Sequence, residues 1–166
     1  MENFKDKYRY NSVEVAFYII AFANENKFSI NVTKTQKLLY IAYGANLAIS
    51  KDRLCDEHPK AWPYGPVFPK TRNKLVKYDD FSEITFEHDL IKNLKEDTYL
   101  KELISFVFRG FGEKTAYYLT SWSHQEGSPW EQTTLLPEFD WNDEIPDEYI
   151  FPYFQKLIKS NKDGGN

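Results

Sequence analysis

The chain has 166 residues, 42% of them hydrophobic and 17% aromatic, with 28% charged residues interleaved among them. This supports one domain with a modest core and excludes wholesale disorder. The net charge of -4 offers no overall basic surface for non-specific nucleic-acid binding.

The charge is unevenly spread, with residues 1–80 net basic and residues 81–166 net acidic. The acidic half would favour a basic partner. Cys55 is the single cysteine, so no internal disulfide is available and a reducing cytoplasm is the expected compartment. The first six residues carry mixed charge rather than a signal peptide. The longest apolar run, from Val15 to Ala23, is far short of the roughly 20 residues that span a bilayer. A membrane is therefore not an expected partner.

Residues 1–10 read as a polar N-terminal arm, residues 11–160 as the domain and residues 161–166 as a disordered tail. Asn11 with Glu14 three residues on marks a helix start, and from Val13 to Ala23 only Glu14 is polar. A helix apolar nearly all round belongs in a core. Thr33 and Gln36 form a second capping signal, opening a helix that reaches about Lys51. Gly44 inside it costs propensity but permits close helix contact. Prolines at 59, 63, 66 and 69 predict a structured loop with a short strand near Lys60 to Trp62. Pro66 to Tyr78 reads as a third helix, and Phe81 to Phe86 has strand-like composition.

Leu100, Leu103, Ile104, Val107, Phe108 and Phe111 follow helical spacing, and Gly110 and Gly112 end that helix. A further helix spans Glu113 to about His124, with Ala116, Leu119 and Ser123 on one side and Tyr118 and Trp122 beside them. Ser128 as cap and Pro129 at the first helical position start another. The segment 131–148 is acidic without Lys or Arg. A last helix follows Pro146, kinked or delayed by Pro152. The fold class is mainly α: a single-domain helical bundle with one or two short β-strands around residues 60–86.

Catalytic groupings are missing. His58, His88 and His124 are scattered, Ser121, Ser123 and Cys55 lack the surroundings of a nucleophile, and paired or clustered metal ligands are absent. No cofactor, metal or catalytic residue is expected, and the chain reads as a non-enzyme. The paired acids Asp79-Asp80, Glu96-Asp97, Asp143-Glu144 and Asp147-Glu148 read as solvated turns. His124 reads as the C-terminal residue of its helix, favoured there by the dipole when protonated. Lys70, Lys74 and Lys77 share one helix face: its wet side, or a small basic surface for an acidic partner. Trp62, Tyr64 and Phe68, set among Gly65, Pro66 and the other prolines, are either core plugs or a rigid aromatic contact surface. Tyr40, Tyr43 and Trp130 carry the same two readings.

Three segments in order resemble the Panacea domain family of SocA-like antitoxins, which includes phage-associated proteins. They are Lys34-Thr35-Gln36-Lys37-Leu38-Leu39-Tyr40-Ile41-Ala42-Tyr43-Gly44 (K-x-Q-K-L-L-Y-x-A-x-G), Ala61-Trp62-Pro63-Tyr64-Gly65-Pro66-Val67 (A-W-x-Y-G-P-V) and Ser123-His124-Gln125-Glu126-Gly127-Ser128-Pro129-Trp130 (T-H-x-x-x-x-P-W). Pro63 replaces the usual basic residue, Ser123 the usual Thr, and Asp79 a common Gly. The resemblance implies an antitoxin that binds and neutralises a toxin encoded nearby. It also implies an alternative, a proteolytic adaptor that delivers the toxin to a Clp protease. A nucleic-acid-binding regulator using the basic helix is a further alternative, although nucleic acid is not the expected partner.

Overall fold

The computed structural model describes Phe4 and residues 7–164, with side chains up to residue 160. Parts of the expected arm and tail thus lie outside the described residues. Residues 8–10 form a strand, and the last helix carries the backbone through residues 161–164.

Two buried helices make the centre. Helix α1 (Ser12–Glu25) starts where Asn11 accepts bonds from the backbone N–H groups of Val13 and Glu14. Helix α2 (Val32–Ser50) is buried continuously from Lys34 to Leu47. Its cap is Asn31, which accepts from the Lys34 N–H at 2.8 Å, so the expected Thr33 cap is corrected by two residues. Gln36 does not reach back to close a capping box; its side-chain oxygen accepts from the distant Phe68 N–H. The helix ends at Lys51, in left-handed conformation.

Short strands follow. Strand β1 (Tyr8–Tyr10) pairs in parallel with β2 (Arg53–Cys55), in register Tyr8 with Arg53 and Tyr10 with Cys55. Strands β3 (Lys60–Trp62) and β4 (Gly65–Val67) form an antiparallel hairpin. The acidic segment runs alongside β3: Ala61 donates to the Asp143 carbonyl and Ile145 to the Pro59 carbonyl. Helix α3 (Pro69–Leu75) is shorter than expected, because Pro66 and Val67 belong to β4.

Phe81 to Phe86 is not a strand; Phe81–Glu83 is a single 3-10 turn. Among the described residues no neighbouring strand pairs with this stretch. Instead the Asn24 amide donates to the carbonyls of Phe81 and Ile84, at 2.8 and 2.9 Å.

Helices α4 (Thr98–Phe111), α5 (Ala116–His124), α6 (Pro129–Thr134) and α7 (Asp147–Gly164) complete the chain. Ser128 caps α6 with Pro129 in its first turn, as expected. Helix α7 starts before Pro152, so the proline does not delay it. Pro152 is exposed, and on that side water can satisfy the carbonyl its ring leaves unbonded. Helix α2 packs against α1, α4, α5 and α7, which makes it the axis of a mainly α fold. Among the described residues, no helix is long and apolar enough to cross a membrane.

Several acids are structural rather than merely solvated. Asp97 caps α4 and also accepts from the Tyr10 hydroxyl. Asp147 is buried, accepting from the Tyr43 hydroxyl at 2.7 Å and pairing with Arg53 at 3.3 Å. Phe68, at the start of α3, offers no side-chain cap. Glu57 supplies the missing anion by accepting from the Lys70 and Thr71 N–H groups and the Ser12 and Thr71 hydroxyls.

Candidate functional site: a groove where three segments meet

The start of α2, the β3–β4 hairpin and the end of α5 interlock around buried polar groups. Two lysines one turn apart on α2 point into protein. The Lys34 ammonium donates to the Gly112 carbonyl at the end of α4, at 2.7 Å. The Lys37 ammonium donates to the Pro66 carbonyl in β4, at 3.0 Å. Between them in sequence, Gln36 takes the Phe68 N–H at 2.6 Å. These bonds fasten α2 to α4 and to the hairpin.

Gly65 makes the close approach possible. Its φ of +106° strains any L side chain, and an added Cβ would lie 2.7 Å from the Ser123 hydroxyl oxygen and 3.3 Å from Lys37 Nζ. On the other side of the hairpin, the Trp130 indole N–H donates to the Trp62 carbonyl at 2.8 Å, and its ring lies 4.1 Å from that of His124. Trp62 donates to the Asn142 side chain at 2.9 Å and carries Arg72 over its face at 5.7 Å.

Electrostatics follow from burial. Desolvation pushes the Lys37 ammonium down to about 8. His124 is lowered by burial and then by Lys37. That favours the neutral imidazole, while His124 is the last residue of α5, as expected. Burial pushes the Cys55 thiol far above its usual range, where it is a poor nucleophile.

A groove of about 670 Å³ opens over this junction. Gln36 and Lys37 line it from α2, Trp62, Tyr64 and Val67 from the hairpin, Arg72 from α3, and Tyr117 and Thr120 from α5. Tyr64 is 77% exposed and Tyr117 83% exposed.

The expected site residues divide accordingly. Phe68, Tyr40 and Tyr43 are buried core residues, and Gly65 and Pro66 are buried in the hairpin. None of these five offers an external contact surface, which corrects that reading of them. Trp62 and Trp130 are half-buried, and Tyr64 stands clear. The basic face is reduced as well. Lys70 is paired with Asp56 at 2.5 Å, Lys77 lies beyond α3, and Lys74 and Lys77 share a hollow of about 420 Å³ with Glu14. Tyr117 and the floor residues Gln36 and Lys37 were not anticipated as site residues. Tyr117 carries a signal in hindsight: it is a large aromatic belonging to neither apolar side assigned to its helix.

Comparison with known proteins bears on this arrangement. A sequence profile described as "Antitoxin SocA-like, Panacea domain" matches residues 35–131. Antitoxin SocA of Caulobacter vibrioides (strain NA1000 / CB15N) is similar, at 30% identity over 108 residues, covering 58% of this chain and 55% of the relative. The chain thus spans about half the length of that curated relative. No solved structure matches. The matched stretch holds Gln36 and Lys37 of α2, the hairpin and the α5–α6 junction, segments that interlock beneath the groove, and the chain belongs to the family of SocA-like antitoxins with a Panacea domain.

Proposed function

We propose that this protein is an antitoxin that neutralises a toxin protein by direct contact, and that the groove bounded by Tyr64 and Tyr117 is part of the contact surface. One observation carries this reading. The recurring positions of the three motif segments are buried or half-buried, as scaffold residues should be, with a single exception. Tyr64 is 77% exposed. Its side chain is not needed to fill the core, and exposed tyrosine on a rigid hairpin suits a binding hot spot.

Two further features support the reading. The Cys55 thiol is shielded and held protonated, which disfavours nucleophilic catalysis. Lys70 is paired with Asp56, which reduces the basic face available to nucleic acid.

The test is growth of cells expressing the neighbouring gene's product, with and without this protein, followed by affinity measurement on the purified pair. Tyr64→Ala should change stability by less than about 0.5 kcal/mol, as for an ordinary surface change. It should weaken toxin binding by about tenfold or more. Wild-type affinity in both Tyr64→Ala and Tyr117→Ala would remove the groove from the contact surface. A toxin whose cellular half-life falls only when this protein and a Clp protease are both present would replace sequestration by delivery.

A further inference from the structure

Four observations at the groove bear on what it binds. First, among the described residues its lining includes two cations, Lys37 and Arg72, and no Asp or Glu, in a chain whose acids outnumber its bases by 25 to 21. Second, Lys37 is only 2% exposed and has three N–H donors, of which one is used, on the Pro66 carbonyl. No carboxylate pairs with it among the described residues. A buried ammonium this sparsely bonded is costly unless a further acceptor reaches it. Third, the neighbouring Gln36 is also 2% exposed, and its amide nitrogen has no partner. Its oxygen is fixed by the Phe68 N–H, which holds the amide orientation and leaves the N–H₂ end free. Fourth, Tyr64 and Tyr117 flank the opening with exposed rings.

We propose that the groove binds a carboxylate of the partner polypeptide, received by the Lys37 ammonium and the Gln36 amide N–H₂, with the flanking chain against Tyr64 and Tyr117. This rests on the reading of the groove as a protein-contact surface. One ammonium and one amide match a singly charged planar acceptor. A dianionic phosphate usually draws on an array of free backbone N–H groups. The carboxylate comes either from an acidic side chain or from a chain terminus.

The test uses the full chain carrying ¹³C-labelled lysine, titrated with three small probes. N-acetyl-phenylalanyl-glutamate amide presents a side-chain carboxylate only. N-acetyl-diphenylalanine presents a terminal carboxylate only. N-acetyl-phenylalanyl-glutamine amide is the neutral control. A saturable shift of the Lys37 Cε resonance with either acidic probe, and none with the control, is the expected result, and the responding probe assigns the source. Gln36→Glu keeps the bond to Phe68 but sets a carboxylate beside Lys37, and should weaken the acidic probe about tenfold or more. Lys37→Met keeps the apolar stem. In that variant the Tyr117 ring resonances report binding, and the acidic probe should lose its advantage over the control.

Equal responses to acidic and neutral probes would overturn the proposal. So would a larger shift with inorganic phosphate than with either carboxylate. Rescue from the toxin is scored separately. Rescue by wild type without any carboxylate response sinks this inference alone, whereas a carboxylate response without rescue sinks the antitoxin reading and leaves the site.

Discussion

Gly44 offers the sharpest test of the helix packing. A Cβ placed there would lie 2.3, 2.4 and 2.6 Å from three ring carbons of Phe154. Carbon atoms in contact prefer about 3.5–4.0 Å, so each of the three is about 1 Å too close. Phe154 cannot easily step aside. It is 1% exposed, with the rings of Tyr40, Trp122 and Tyr153 at 5.5, 6.2 and 5.5 Å. Overpacking of this kind costs about 1–3 kcal/mol, and the overlap at three atoms puts Gly44→Ala at about 3. Replacing Gly by Ala within a helix returns about 1 kcal/mol. The net loss is about 2 kcal/mol, or roughly 4–8 °C in Tm for a chain of this size. Thermal and urea unfolding would measure it. Phe154→Ala alone should cost about 3–5 kcal/mol. In that background Gly44→Ala should become neutral or stabilising, a coupling of about 3 kcal/mol. If Gly44→Ala is as stable as wild type, or carries the same penalty without the ring, α7 does not rest on α2 in this way.

Two tyrosines one turn apart on α2 should respond to the same change with opposite signs. The Tyr40 hydroxyl is buried without a partner, so Tyr40→Phe should be neutral or stabilising by about 1 kcal/mol; Tyr43→Phe strips a bond from the buried Asp147 carboxylate and should cost about 1.5–3 kcal/mol in urea unfolding. Acid sensitivity should trace to Asp52 and Asp56. Burial raises both, but bonds from Ser50 and Arg9 to Asp52, and from Lys70 and Ser12 to Asp56, outweigh it and hold both carboxyls below their usual value. Their contribution is therefore complete above the unfolded value of about 3.9 and is lost as pH falls through the lower folded values. Urea midpoints of Asp52→Asn and Asp56→Asn should fall less steeply than wild type below pH 4, and parallel curves would refute the assignment.

Local signals were readable where the partners are local. Asn11, Ser128 and the apolar spacing of α4 each settle within one turn, and the structure follows them. The start of α2 was set two residues late because Asn31 and Thr33 are both good caps, and Gln36 is used by a backbone group 32 residues away. Phe81 to Phe86 has the composition of a strand but no edge to pair with, since the Asn24 side chain takes the carbonyls a strand would share. The β1–β2 pairing joins three-residue strands too short to show a period. Asp56 and Glu57 cap helices from a distance, which spacing along the chain does not reveal. At the site, the proline loop stands out by composition, but its aromatics cannot be sorted from the sequence. Phe68 turns inward beneath Gln36 while Tyr64 turns out, and that division depends on the left-handed turn at Gly65 meeting α5.

In the proposed reading, that division separates the parts of the domain that make the fold from the parts that would meet a partner. The Lys34, Gln36 and Lys37 side chains each hold a backbone group of another element, so exchanging any of them threatens the scaffold. Tyr64, Tyr117 and Arg72 reach the groove with mostly exposed side chains. Substitution there leaves the core intact and changes what the rim presents. Lys37 belongs to both sets. Its ammonium holds the hairpin through the Pro66 carbonyl, and the residue also lines the groove. A fixed buried cation beneath a replaceable aromatic rim would let one scaffold require the same charged feature of every partner and select among partners by the residues around it.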